Sequence, residues 1–233
     1  MGGEGRYLRS LAYPHKSLSQ TKRHMSPGLT SVKVIVYDCD GVLVDSRESN
    51  EAFYNHILAR FGLPPLAPEQ VEFIYVSTAA AAIDHLFRDS PFLREAQSYQ
   101  SQMDNTPFIP LIRPEPNIRE TLERLRPAYR TAVATNRGKS LPLVLQHHRL
   151  AGLFDLTVTS LEVTEPKPHP DCLQRIMRHF QVAPEEVVYI GDAEVDRLVS
   201  QRAGAPFIAY KNPLLNACHC LEDHLDLLKI LEL

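Results

Sequence analysis

The sequence has no CxxC pair, and its four cysteines, Cys39, Cys172, Cys218 and Cys220, are scattered through 233 residues. No secretory leader is read at its start, so reduced thiols in a cytoplasmic setting are expected, not a disulfide framework. The Cys218-His219-Cys220 cluster lacks the second pair of ligands that a structural zinc site needs; a buried or rim position is the expectation for it. No apolar run reaches the length of a membrane span. There is no basic excess either: 25 Lys and Arg against 28 Asp and Glu leave a net charge of −3. That speaks against a protein that grips duplex nucleic acid. A hydrophobic fraction of 44% and a charged fraction of 23% exclude a disordered, collagen-like or coiled-coil chain. What is present is enough chain for one large domain, or one domain with an insertion, and for a core that needs no disulfide or structural metal.

The first thirty residues stand apart. Arg6, Arg9, Lys16, Lys22 and Arg23 face a single Glu4, so this piece carries +4 and the remainder −7. It has no sustained apolar period, and Ser, Gly and Pro interrupt it. Its composition is that of an organelle transit peptide, but Pro14 and Pro27 prevent an amphipathic face. A flexible extension over residues 1–30, or a true start at Met25, is the preferred reading.

From there the chain alternates. Val32–Tyr37, Thr131–Ala134, Leu156–Thr159, Val187–Ile190 and Pro206–Ala209 read as short strands. Asn117–Leu125, Ser140–His148, Asp171–Phe180, Ala193–Ala203 and Leu221–Leu231 read as helices. Such alternation predicts an α/β fold, a Rossmann-like parallel sheet with helices on both faces. Residues 46–112 break the pattern. They offer no convincing strand but three helical stretches, Glu51–Arg60, Glu69–Phe87 and Phe92–Met103, followed by Pro107, Pro110, Pro114 and Pro116. The expected organisation is an α/β core over 31–45 and 113–233, with an inserted all-helical domain over 46–112.

In a parallel sheet, function gathers at the carboxyl ends of the strands. The first strand ends at Asp38 and Asp40, the second at Thr135 and Asn136, the fourth at Asp192 with Asp196 one helical turn on; Lys167 stands just before another helix. Three acids at the strand ends with Asp196 behind them, a cation and a hydroxyl on one edge describe a site for a divalent metal and a phosphate. Asp38 and Asp192, with the backbone carbonyl of Asp40, can supply part of the oxygen shell that Mg²⁺ prefers. Lys167 neutralises phosphoryl oxygens. Thr135, Asn136 and the amides that follow hold another, aided by the positive end of the next helix. Asp38 then serves as nucleophile. Asp40 protonates the leaving alkoxide and later deprotonates the attacking water. Asp196 is expected to hold a metal-bound water or Lys167.

Other readings stay structural. Ser46 is expected to cap the first inserted helix, and Cys39 to be a spacer pointing away from the acids. Arg137 either reaches substrate or is solvated. On the first inserted helix Arg47, Asn50, Tyr54 and His56 are candidates for substrate contact, with a plain solvated face the equal alternative.

The pattern resembles the haloacid dehalogenase (HAD) superfamily. Residues 38–46, DCDGVLVDS, are similar to its first motif, Thr135 in VATNRG to its second, Lys167 in EPKPHPD to its third, and GDAEVD, with Asp192 and Asp196, to its fourth. They occur in family order over residues 32–211. The resemblance implies a Rossmann-like core with a helical cap between the first two motifs. Within the superfamily the chain is most similar to the phosphoglycolate-phosphatase and β-phosphoglucomutase branch. Dehalogenases of this kind lack the second carboxylate, which Asp40 supplies. Phosphonatases use a cap lysine, whereas no lysine occurs from residue 34 to 138. What the resemblance implies is a Mg²⁺-dependent phosphatase acting through an aspartyl-phosphate, with a phosphomutase as the alternative and a non-enzymatic scaffold below both. The expected partner is a small phosphorylated metabolite, with no nucleic acid and no membrane, in a cytoplasmic monomer or homodimer. Phosphoglycolate is the leading substrate by resemblance; sugar phosphates, nucleoside monophosphates and pyrophosphate stay open.

Overall fold

The computed structural model describes residues 29–233, so the extension read over residues 1–30 lies, but for its last two residues, outside the described part. In chain order the elements are β1 (Val34–Tyr37), β2 (Val44–Asp45), α1 (Arg47–Arg60), α2 (Pro68–Val76), α3 (Ala79–Leu86), α4 (Leu93–Gln102), β3 (Arg113–Pro114), α5 (Ile118–Leu125) and β4 (Arg130–Ala134). There follow α6 (Leu141–His147), β5 (Leu156–Val158), α7 (Asp171–Phe180), β6 (Val187–Gly191), α8 (Glu194–Ala203), β7 (Phe207–Tyr210), β8 (His219–Leu221) and α9 (Leu225–Ile230). Six strands form one sheet in the order β5-β4-β1-β6-β7-β8, and every pairing in it is parallel.

β1 is central because its VIVY run is apolar on both faces and fully buried, as a strand covered by helices on both sides must be. Ile35 and Tyr37 point into one core with Leu122, Leu141 and Ile208. Val34 and Val36 point into the other with Leu173, Ile176 and Val199. From β1 the chain runs outward on one side through β4 to β5, then crosses back to β6 on the other side of β1 and outward again to β7 and β8. The strand order therefore reverses at β1, which opens a crevice beyond its carboxyl end.

The four helices α1–α4 have a core of their own around Phe53, Ile57, Ile74, Ile83 and Phe87. The chain leaves for them and returns through β2 and β3, a two-residue antiparallel ribbon too short to leave a periodic signature. The stretch expected as one helix over Glu69–Phe87 is two helices. Ser77 is extended, and the Thr78 hydroxyl accepts from the Ala81 amide at 3.2 Å, capping α3. At the other end, β8 takes residues not expected as a strand, and the last helix starts at Leu225, not Leu221. Just before β8, Cys218 is half-buried, its thiol on the Phe207 carbonyl, and within β8 Cys220 is exposed, a sheet edge and not half a zinc site. Among the described residues no helix is long and apolar enough to cross a membrane.

Candidate active site

All seven residues singled out at the strand ends meet at the crevice beyond β1. Asp38 extends β1, its amide donating to the Ile190 carbonyl at 2.9 Å. The next turn is tight: the Cys39 carbonyl accepts from Leu43 and Val44, and Gly41 donates to the Val44 carbonyl at 2.8 Å. Gly41 has φ +79°, and a Cβ there would stand 2.1 Å from the Asp192 carboxylate and 2.7 Å from the Tyr75 hydroxyl. Only glycine gives both the left-handed turn and the close approach. Cys39 points away, into the core with Val42 and Leu43, as the spacer reading required.

Asp38, Asp192 and Asp196 each place a carboxylate oxygen within 4.8 Å of the others. Lys167 sits among them, 2.8 Å from Asp38 and 2.7 Å from Asp196. It also donates to the Tyr189 hydroxyl at 3.0 Å, and that hydroxyl lies 3.0 Å from Asp196 and 2.9 Å from the Ala134 carbonyl. Of the two roles expected for Asp196, the hold on Lys167 is present in the geometry. Gly191 makes this possible, because a Cβ there would overlap the Asp196 side chain at 2.3 Å. Asp38 is held by Lys167 through Oδ1, and no side chain among the described residues bonds the Asp192 carboxylate. Burial raises the Asp38 carboxyl to about 7 against the pull of Lys167, with Asp196 and Asp40 adding to the rise. Burial, then the Asp196 and Asp38 carboxylates, raise Asp192 to about 8. Three crowded carboxylates share the single cation Lys167, so the hard-oxygen donors Asp38 and Asp192 fit a further cation such as Mg²⁺.

Asp40 turns to the other side. The Arg137 Nε donates to its two oxygens at 3.0 and 3.2 Å, Arg137 Nη2 forms an ion pair with it, and the Ser46 hydroxyl bonds it as well. Burial disfavours charge on Asp40, but Arg137 and Ser46 prevail and hold the carboxyl below its ordinary range. Arg137 is therefore neither solvated nor free. Ser46 makes no cap bond to α1; Asp45 takes the Arg47 amide instead, at 3.2 Å.

Thr135 is buried at the end of β4, and its hydroxyl accepts from the Arg137 amide at 3.1 Å. The following helix does not begin there: α6 is seven residues long and starts at Leu141. Asn136 is used within the protein. Its carbonyl oxygen accepts from the Lys167 amide at 3.0 Å, and its Nδ2 donates to the carbonyls of Val76 and Lys167. It thus joins the Lys167 loop to the break between α2 and α3.

Over these groups the helical layer closes a cavity of about 480 Å³. Asn50 and Tyr54 line it, and Arg47 lines a smaller polar pocket next door. His56 does not reach it; its ring lies 3.0 Å from the Tyr99 hydroxyl. Sequence reasoning missed Tyr75, Phe108, Lys139 and Tyr189. Only Tyr189 carried a signal, a hydroxyl within an otherwise apolar strand that must find a partner when buried.

A family model described as haloacid dehalogenase-like hydrolase matches residues 35–210. A phosphoglycolate phosphatase of Mannheimia succiniciproducens is 29% identical over 219 residues, covering 85% of this chain and 97% of that protein. The crystal structure of a HAD-superfamily hydrolase, subfamily IA, variant 1, from Geobacter sulfurreducens superposes with a TM-score of 0.71 at 36% identity, over 87% of this chain and 97% of that one. CbbY from Rhodobacter sphaeroides in complex with phosphate shares the fold, with a TM-score of 0.71 at 22% identity over 87% of this chain and 100% of that one. Sequence, fold and site agree: the chain belongs to the haloacid dehalogenase-like hydrolases and is a phosphoric monoester hydrolase.

Proposed function

We propose that this phosphatase is Mg²⁺-dependent and hydrolyses a small phosphate monoester, a phosphorylated metabolite of the cytoplasm, through an aspartyl-phosphate on Asp38. The observation that carries this is the Asp38 carboxylate at the crevice, with Lys167 at 2.8 Å on one side and Asp192 on the other. The carboxylates of Asp38 and Asp192 and the backbone carbonyl of Asp40 would hold the cation. When bound, Mg²⁺ supplies the positive charge that lets an anionic ester approach these acids.

Lys167 and the Thr135 hydroxyl then orient the phosphoryl oxygens. Asp38 attacks phosphorus as the ester P–O bond breaks, and Asp40 gives its proton to the leaving oxygen. Water, losing its proton to Asp40, next attacks the acyl-phosphate, freeing phosphate and restoring Asp38. In the arrangement described, Arg137 and Ser46 hold Asp40 ready to accept that second proton. For the first step the arriving phosphate has to draw Arg137 off, so that Asp40 can carry one. Asn136 contributes by fixing the Lys167 loop, and its own backbone amide is what remains for substrate. The relative named above as a phosphoglycolate phosphatase supports the reaction class.

The test is phosphate release from an aryl phosphate with and without Mg²⁺. Release should require the ion and should fall by about 10⁴-fold or more in Asp38→Asn, with the circular dichroism spectrum unchanged. Activity that survives this substitution in folded protein removes Asp38 as nucleophile.

A further inference from the structure

The cavity over the catalytic groups is lined by more than Asp38, Thr135, Lys167 and Asp192. Ile74, Val76, Phe108 and Leu161 line it too, with the uncharged Ser77 and Asn105. Its volume of about 480 Å³ lies in the range of about 300–1,000 Å³ that takes drug-sized ligands, far more than a phosphate with two further carbons fills. Among the described lining residues the cations are Arg137, Lys139 and Lys167, and each is occupied. Arg137 is bound to Asp40 and, once drawn off it, is taken by the phosphate. Lys139 reaches out to the carbonyls of Ser101 and Met103, at 2.8 Å each. Lys167 is held by Asp38 and Asp196 and is needed at the phosphate.

A second anionic group on the substrate would thus enter an apolar wall with no described cation left to meet it. An unpaired charge moved out of water costs several kcal/mol. An uncharged ring, by contrast, gains from burial against Phe108, Ile74 and Leu161, and hydroxyls on it meet Ser77 and Asn105. We propose that the alcohol part of the ester is uncharged and ring-bearing, as in a nucleoside 5′-phosphate or an aryl phosphate, and not a short carboxylic acid. The proposal rests on the phosphatase reading and adds the class of leaving group to it.

Three esters decide it: uridine 5′-monophosphate, phenyl phosphate and 2-phosphoglycolate, each assayed with Mg²⁺. The two ring esters should exceed phosphoglycolate in kcat/KM by about tenfold or more. In Leu161→Arg, at a side chain 70% exposed on the rim where a new cation is tolerated, that ratio should shrink at least threefold in favour of phosphoglycolate. Calorimetric titration of the Asp38→Asn protein with the same uncleaved esters should give the same order of affinity. Equal or better turnover of phosphoglycolate overturns the proposal and leaves the phosphatase reading intact. If no ester is cleaved, the phosphatase reading fails, and the titration alone decides: phosphoglycolate binding as tightly as the ring esters overturns the proposal.

Discussion

Lys167 shows what a single buried charge demands of its surroundings. Its side chain is 3% exposed, so the ammonium has left water and needs compensation from the protein. Asp196, which is fully buried, Asp38 and the Tyr189 hydroxyl provide it. Asp38 cannot be the permanent counter-ion if it is to attack phosphorus. On the proposed mechanism Asp196 is therefore the residue that keeps Lys167 charged and aimed while Asp38 carries the phosphoryl group. Replacing it by Asn keeps the shape and removes the charge. The expected result for Asp196→Asn is a loss of about 1–3 kcal/mol in unfolding free energy and a 10- to 100-fold fall in kcat. Urea titration and steady-state kinetics on the same preparation measure both. An unchanged kcat would show that Asp38 alone suffices to hold the lysine. At this scale the acids and the lysine were legible because strand ends and motif spacing mark them. Arg137 and Ser46 were not, because a guanidinium one residue beyond Asn136 reads the same whether it faces water or folds back onto Asp40.

The loop between β4 and α6 joins two parts of the molecule. It carries Thr135, ties Val76 through Asn136, and sends Lys139 to the last carbonyls of α4, where the helix presents its negative end. The same few residues thus line the cavity and fasten the helical layer above it. Lys139→Met keeps the stem and deletes the charged tip. Because the contact is exposed, stability should fall by less than about 1 kcal/mol, while KM should rise by roughly three- to tenfold as the layer loosens over the substrate. A thermal melt with Michaelis–Menten kinetics separates the two; a KM equal to that of the parent protein would make the contact idle. This link depends on the break between α2 and α3, which exposes the Val76 carbonyl. The apolar spacing of Glu69–Phe87 is continuous through Ser77 and Thr78, so periodicity gave no sign of it. The Thr78 cap and its alanine run are visible only once a helix start is sought there.

Across the whole molecule, the alternation of apolar runs with helical stretches sufficed for the order of the main strands, because a strand buried on both faces writes itself as an unbroken β-branched segment. β8 escaped because three residues around Cys220, on the sheet's edge, are too few and too mixed to show a period. The folded sheet then sets how stability depends on pH. His224, at the start of α9, is stacked on Tyr210 at 4.3 Å with its Nε2 on the Val42 carbonyl at 2.7 Å, and burial lowers its pKa to about 4. The unfolded chain binds that proton more readily, so this group removes stability as pH falls from about 6.5 to 4 and has no effect above. Asp38 and Asp192 act oppositely. With folded values near 7 and 8 against an ordinary value near 4, they bind protons better folded than unfolded, so stability falls as pH rises through their range. Above pH 6.5 only the acids remain active. Protein kept in chelator should therefore melt at progressively lower temperature from pH 6.5 to 8.5, by roughly 2–4 °C for each kcal/mol lost. Adding Mg²⁺ relieves the same repulsion, so the gain in melting temperature should grow with pH across that interval. A gain that is the same at pH 6.5 and 8.5 would show that the ion, if it binds, does not bind at these two carboxylates.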